Sequence, residues 1–223
     1  MDDDVGGVSD DAPRLDYCWG DDCPKRFDMH GFPVYVSPTV DFDHRSGHED
    51  VGRALEQLRA QFSYIVHPSR GIPNAALEDL RAAGVSVYLT GHEKDEWWPC
   101  GDGDGCYAQR EKRIAFTASL LADLHGLDPL VLLHELAHAW HGLIVADGWR
   151  NDCIRRGYNE SVHELGRYDE VRNQHWWSGR PPHEGWGTQR GYAATNEYEW
   201  FAESAEAYFL MNGSYPFHRH DLF

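Results

Sequence analysis

The chain has 223 residues, with 37 Asp and Glu against 20 Lys and Arg, a formal net charge of −17. With 41% hydrophobic and 13% aromatic residues it can bury a core, which excludes a mainly disordered chain and suits one domain, or one domain with a small lobe. The acidic balance argues against nucleic acid or an anionic membrane as partner, and no apolar run reaches the roughly 18 residues of a membrane span.

Residues 1–31, rich in Asp, Gly and Pro, read as an irregular arm, and 32–223 as a single domain with a first lobe over 32–128 and a second over 129–223. The opening Met1-Asp2-Asp3-Asp4-Val5 has neither the basic start nor the apolar stretch of a signal peptide. Cys18 and Cys23 form one close pair and Cys100 and Cys106 another, leaving Cys153 over. Close pairs favour an oxidising compartment, so at least one disulfide is expected, and secretion is favoured over the cytoplasm. Zinc held by these cysteines is disfavoured, because neither pair has the CxxC form.

Val34-Tyr35-Val36 reads as a short strand. From Glu49 to Val66 the apolar residues Val51, Leu55, Leu58, Phe62 and Ile65 recur on one helical face, and His67-Pro68 ends that helix. A shorter helix starts at Pro73-Asn74, runs through Leu77 and Leu80 and stops at Gly84. Val85, Val87 and Leu89 alternate as a strand should. Residues 91–106 read as a loop. Its Gly-Asp-Gly-Asp-Gly stretch lacks the spacing and closing Glu of a calcium loop and is taken as a turn. Ile114-Ala115-Phe116-Thr117 is the next strand, and Asp128-Pro129 has the form of an N-cap and first helical residue. The pairs Trp97-Trp98 and Trp176-Trp177 read as packing residues rather than subsites.

The helix that follows reads Leu130-Val131-Leu132-Leu133-His134-Glu135-Leu136-Ala137-His138-Ala139-Trp140-His141. His134 and His138, four apart, lie on one face a turn from each other, so their imidazoles can share a zinc ion. Glu135 stands where it reaches a water beside the metal rather than the metal itself. At this composition fewer than about 0.1 such matches arise by chance. The apolar setting adds weight, since buried ionisable residues are costly without a role.

Catalysis by zinc needs a third protein ligand and one open position. The short pattern with a third histidine fails, because His141 and Ile144 occupy its Gly and His positions. Glu160, Glu164, Glu170, Glu184 and Glu199 are the candidates. Glu199 is preferred, on a helix capped by Thr195-Asn196 that also carries Glu203 and Glu206 at helical spacing. Glu203, one turn on, can accept the other ring N–H of a ligand histidine. Glu160 is the runner-up and equally fits a polar position on a helix from about Ile154 through Leu165.

The run His134-Glu135-Leu136-Ala137-His138, followed by Tyr192-Ala193-Ala194-Thr195-Asn196-Glu197-Tyr198-Glu199-Trp200-Phe201-Ala202-Glu203, resembles the catalytic domain of the anthrax lethal factor and Pro-Pro endopeptidase family of gluzincin metallopeptidases. Glu206-Ala207-Tyr208-Phe209 and Tyr215-Pro216-Phe217 extend the resemblance to zinc-peptidase-like proteins, over roughly residues 130–217. It implies zinc held by His134, His138 and Glu199, Glu135 as general base, Glu203 behind the ligands, and Tyr192 assisting the transition state.

The expectation is therefore an α+β, zincin-like endopeptidase for peptides or proteins, basic ones being suggested by the −17 charge. A peptide would lie in the cleft along an edge strand near 107–117. An inactive relative that binds a partner in the cleft, and a structural zinc protein, are the alternatives.

Overall fold

In a computed structural model, which describes residues 23–38, 40, 49–70, 72–91, 96–101, 103–124, 130–169 and 191–209, five strands form one mixed sheet. They are β1 (Lys25–Met29), β2 (Phe32–Val36), β3 (Ser86–Thr90), β4 (Gly105–Ala108) and β5 (Arg113–Thr117), in the order β1-β2-β3-β5-β4. The three inner strands are parallel, and β1 and β4 run antiparallel to their neighbours at the edges. With the helices this makes an α+β chain.

Side-chain alternation explains why the inner strands are buried on both faces. Val34, Val36, Val87, Leu89, Ile114 and Phe116 point into the main core, under the helices. Tyr35, Tyr88 and Ala115 point the other way, where Trp97 covers them and Trp98 packs alongside. Trp97 and Trp98 are thus packing residues, and Trp176 and Trp177 lie outside the described residues.

Two expectations are corrected by the sheet. Residues 25–29 belong by composition to the irregular arm, yet they form β1. His30 and Gly31, at φ of 54° and 83°, make the two-residue turn that pairs Met29 with Phe32. A His-Gly turn lacks the usual Asn or Asp signal, and the exposed, polar β1 lacks an apolar pattern. Residues 105 and 106 are not loop but the start of β4, and β5 is an inner strand, so within 105–117 the edge strand is 105–108. Cys100 and Cys106 form a disulfide across a Cα separation of 5.6 Å. Cys153 is free and exposed, and Cys18 lies outside the described residues.

The helices follow their sequence signals closely. α1 (Glu49–Ile65) buries Val51, Leu58, Phe62 and Ile65. α2 (Asn74–Ala82) ends where Gly84 takes a φ of 83°. A short α3 (Ala118–Asp123), capped by Thr117, follows β5 directly. α4 (Val131–Leu143) carries the two motif histidines. α5 (Asp152–Tyr158) is capped by Asn151 and runs on as a π-helical turn over Asn159–Glu164, close to the expected 154–165 span. α6 (Glu197–Tyr208) packs on α4, and the Asn196 side chain accepts from the Tyr198 and Glu199 N–H groups at 2.9 Å each.

The start of α4 differs from expectation. Asp128 and Pro129 lie outside the described residues, and the helix begins at Val131 with Leu130 in the cap position, where no side chain can accept. A buried residue of α1 supplies the missing acceptor: the Leu132 N–H donates to Gln61 Oε1 at 2.9 Å. No helix among the described residues is long and apolar enough to cross a membrane.

Candidate metal centre and cleft

Leu130, Val131, Leu132, Leu133, Leu136 and Ala139 anchor α4 in the main core. That leaves His134, Glu135 and His138 buried along a cleft of about 610 Å³. α6 brings Glu199 across the sequence to meet them. His134 Nε2 lies 3.0 Å from Glu199 Oε2, His138 Nε2 lies 3.3 Å from the same oxygen, and the two Nε2 atoms are 3.1 Å apart.

These three atoms suit zinc. Donors about 2.0–2.1 Å from a tetrahedral ion stand about 3.3–3.4 Å from one another. Two imidazole nitrogens and one carboxylate oxygen at 3.0–3.3 Å match that spacing, and all three residues line the cleft. Burial raises the cost of the Glu199 charge, but the His134 and His138 bonds outweigh it and hold that carboxyl well below its ordinary range. Burial by itself lowers the His134 pKa, and the facing carboxylates of Glu199 and Glu206 reverse this and raise it.

Behind His134, α6 presents two further carboxylates. Glu203 Oε1 is 3.7 Å and Glu206 Oε1 3.6 Å from His134 Nδ1, and both glutamates are buried. The sequence marked Glu203 for this position. Glu206 shares its helical spacing, yet only the packing of α6 on α4 shows that both reach the same ring nitrogen.

Glu135 lines the cleft with both histidines and with Tyr107 of β4. Burial pushes its carboxyl pKa up, opposed by His138 and His134 and by the backbone N–H of Tyr107. Tyr192 opens a 3-10 turn (Tyr192–Ala194), its ring centroid 6.0 Å from that of His134. Burial raises the pKa of its hydroxyl, and the nearby Glu199 and Glu135 carboxylates raise it further, so it stays protonated. His134, Glu135, His138, Tyr192 and Glu199 thus line one cleft, with Glu203 beside His134.

The other candidate ligands are elsewhere. Glu160 and Glu164 are exposed on the π-helical turn and belong to no cluster of metal-binding groups among the described residues, and Glu170 and Glu184 lie outside them.

The cleft also has walls that the motifs do not announce. Trp149 and Tyr198 line it with ring centroids 4.9 Å apart, and Trp149 lies 6.3 Å from His138. His141 is fully buried behind them, 4.7 Å from Trp149 and 4.9 Å from Phe201, and burial followed by the His138 charge lowers its pKa to about 4. β4 and Leu120 line the cleft as well.

No protein-family model, curated protein or solved structure matches the chain.

Proposed function

We propose that the protein is a zinc-dependent endopeptidase of the gluzincin type, with a zincin-like fold. The convergence of His134 Nε2, His138 Nε2 and Glu199 Oε2 within 3.0–3.3 Å at the floor of a cleft carries this reading. Three donors with an open fourth side are the ligand count of a catalytic zinc site, whereas a structural site is closed by four.

A zinc ion bound there would supply Lewis-acid activation of a carbonyl and of water near neutral pH. The chain's own groups supply the rest. Glu135, buried and with a raised pKa, is suited to take a proton from water and pass it to the leaving amine. Tyr192 keeps its proton and offers it as a hydrogen bond to an oxygen that gains charge in the transition state. Glu203 and Glu206, 3.7 and 3.6 Å from His134 Nδ1, are placed to orient the ring once one of them accepts its N–H.

β4 is suited to hold a peptide in extended form. The Thr117 N–H donates to the Asp104 carbonyl at 2.9 Å, which sets the alternation of the ladder. Cys106 and Ala108 then direct their N–H and C=O at β5, and Gly105 and Tyr107 direct theirs at the cleft. With the Tyr107 N–H beside Glu135, the Tyr107 carbonyl and both backbone groups of Gly105 remain to pair with a substrate backbone. Secretion is part of the proposal, supported by the Cys100–Cys106 disulfide.

The test is metal analysis beside cleavage of a peptide library by the wild type and by Glu135→Gln. One zinc per chain with cleavage only by the wild type is expected. A zinc-loaded wild type that cleaves nothing, yet still binds peptides, would favour an inactive binding relative.

A further inference from the structure

Resting on the peptidase reading, we infer that Trp149 and Tyr198 form a preorganised apolar subsite for the substrate residues on the N-terminal side of the scissile bond. The geometry points to peptides carrying a large apolar side chain within two residues of that bond.

The first observation is that the wall is built in place. A Cβ added at Gly142 would stand 2.7 Å from Trp149 Cζ2, so the indole lies directly on the α4 backbone where only glycine allows it. The Trp149 N–H donates to Gln109 Oε1, and Gln109 Nε2 donates to the Gly142 carbonyl at 3.4 Å. The His141 ring packs 4.7 Å from Trp149, and Tyr198 meets it edge-on at 4.9 Å. An aromatic surface fixed on these sides loses little freedom when a side chain docks on it.

The second observation gives the wall its place in the substrate. Gln109 directly follows β4, so its bond to Trp149 puts the wall at the C-terminal end of that strand. Asp104 and Leu120 line the other end of the cleft. A peptide adding to β4 antiparallel makes the straighter ladder. It then runs from the Trp149 end toward the Asp104 end, with its N-terminal half against the aromatic wall. A parallel peptide would place its C-terminal half there, so the assignment is directional and open to refutation.

Small hydroxamates read this directly, because a metal-binding group fixes which half of the cleft is filled. Acetyl-Leu-Phe-hydroxamate places both residues on the N-terminal side of the metal, and acetyl-Gly-Gly-hydroxamate is its control. Binding to the zinc-loaded Glu135→Gln protein is measured by calorimetry. We expect the Leu-Phe compound to bind at least about 10-fold tighter, as an apolar pocket contact of this size should give. Trp149→Ala should remove most of that preference while leaving the Gly-Gly compound nearly unchanged. Trp149→Phe, which keeps an aromatic face, and Tyr198→Ala give second readings, with thermal melts to confirm folding. An equal preference in Trp149→Ala and Tyr198→Ala, or a preference only for compounds bearing the hydroxamate at the N-terminal end, would overturn the subsite. Hydroxamate binding that does not depend on zinc would instead sink the metal centre on which it rests.

Discussion

The buried Gln61 side chain of α1 accepts the Leu132 N–H at 2.9 Å and so caps the helix that carries both histidines, 71 residues away in sequence. The capping residue Leu130 has no acceptor of its own. Gln61→Leu should therefore leave a buried N–H unsatisfied, at a cost of about 1–3 kcal/mol, offset in part by removal of the buried Gln61 Nε2, which has no hydrogen-bond partner among the described residues. Chemical denaturation of the metal-free protein checks it, and a loss below about 0.5 kcal/mol would mean that the bond contributes nothing.

Zinc binding should follow the donor triangle. His138→Ala is expected to lose the metal, and Glu199→Gln to weaken it severely, while Glu160→Gln leaves it unchanged because Glu160 is exposed and belongs to no cluster of metal-binding groups among the described residues. Metal content after dialysis against a weak chelator reads all three.

Glu206 should matter almost as much as Glu203. Both carboxylates lie within 3.7 Å of His134 Nδ1, and partners of this kind typically change metal affinity by roughly 10–100-fold. Competition titrations of Glu203→Gln and Glu206→Gln measure each contribution. An unchanged affinity in Glu206→Gln would leave the orientation of His134 to Glu203 alone.

Turnover separates Glu135 from Tyr192. Glu135→Gln should retain zinc and lose roughly 10²–10⁴-fold in kcat. Tyr192→Phe should keep zinc and thermal stability and lose roughly 10²–10³-fold in kcat with little change in KM, since its hydrogen bond strengthens mainly in the transition state. A kcat within a few-fold of wild type in either variant would remove that residue from the mechanism.

His141 gives a pH prediction. Its folded-state pKa of about 4 lies below the ordinary 6.5, so the unfolded chain takes up a proton first. Stability should be unaffected above pH 6.5, fall as pH drops from 6.5 toward 4, and level off below, by something on the order of 1–3 kcal/mol. His141→Phe, filling the same aromatic surroundings, should remove that part of the acid sensitivity. Parallel stability-pH curves for the two metal-free proteins would contradict the assignment.

The sequence by itself determined the elements whose signals are local. The spacing of Val51 through Ile65 gives α1, the four-residue spacing of His134 and His138 puts them on one face of α4, and Thr195-Asn196 gives the start of α6. These succeed because helical periodicity and capping depend on residues within a few positions of one another. β1 and β4 were not legible: β1 is exposed and polar, with a His-Gly turn, and the four residues of β4 are held by β5 rather than by any pattern of their own. The choice of Glu199 over Glu160 followed spacing and resemblance, but only tertiary structure puts Glu199 beside His134 and leaves Glu160 in solvent. The same holds for Gln61, Glu206 and Trp149. Each acts on residues of another element through side-chain contacts, and a contact between elements leaves no period in the chain that makes it.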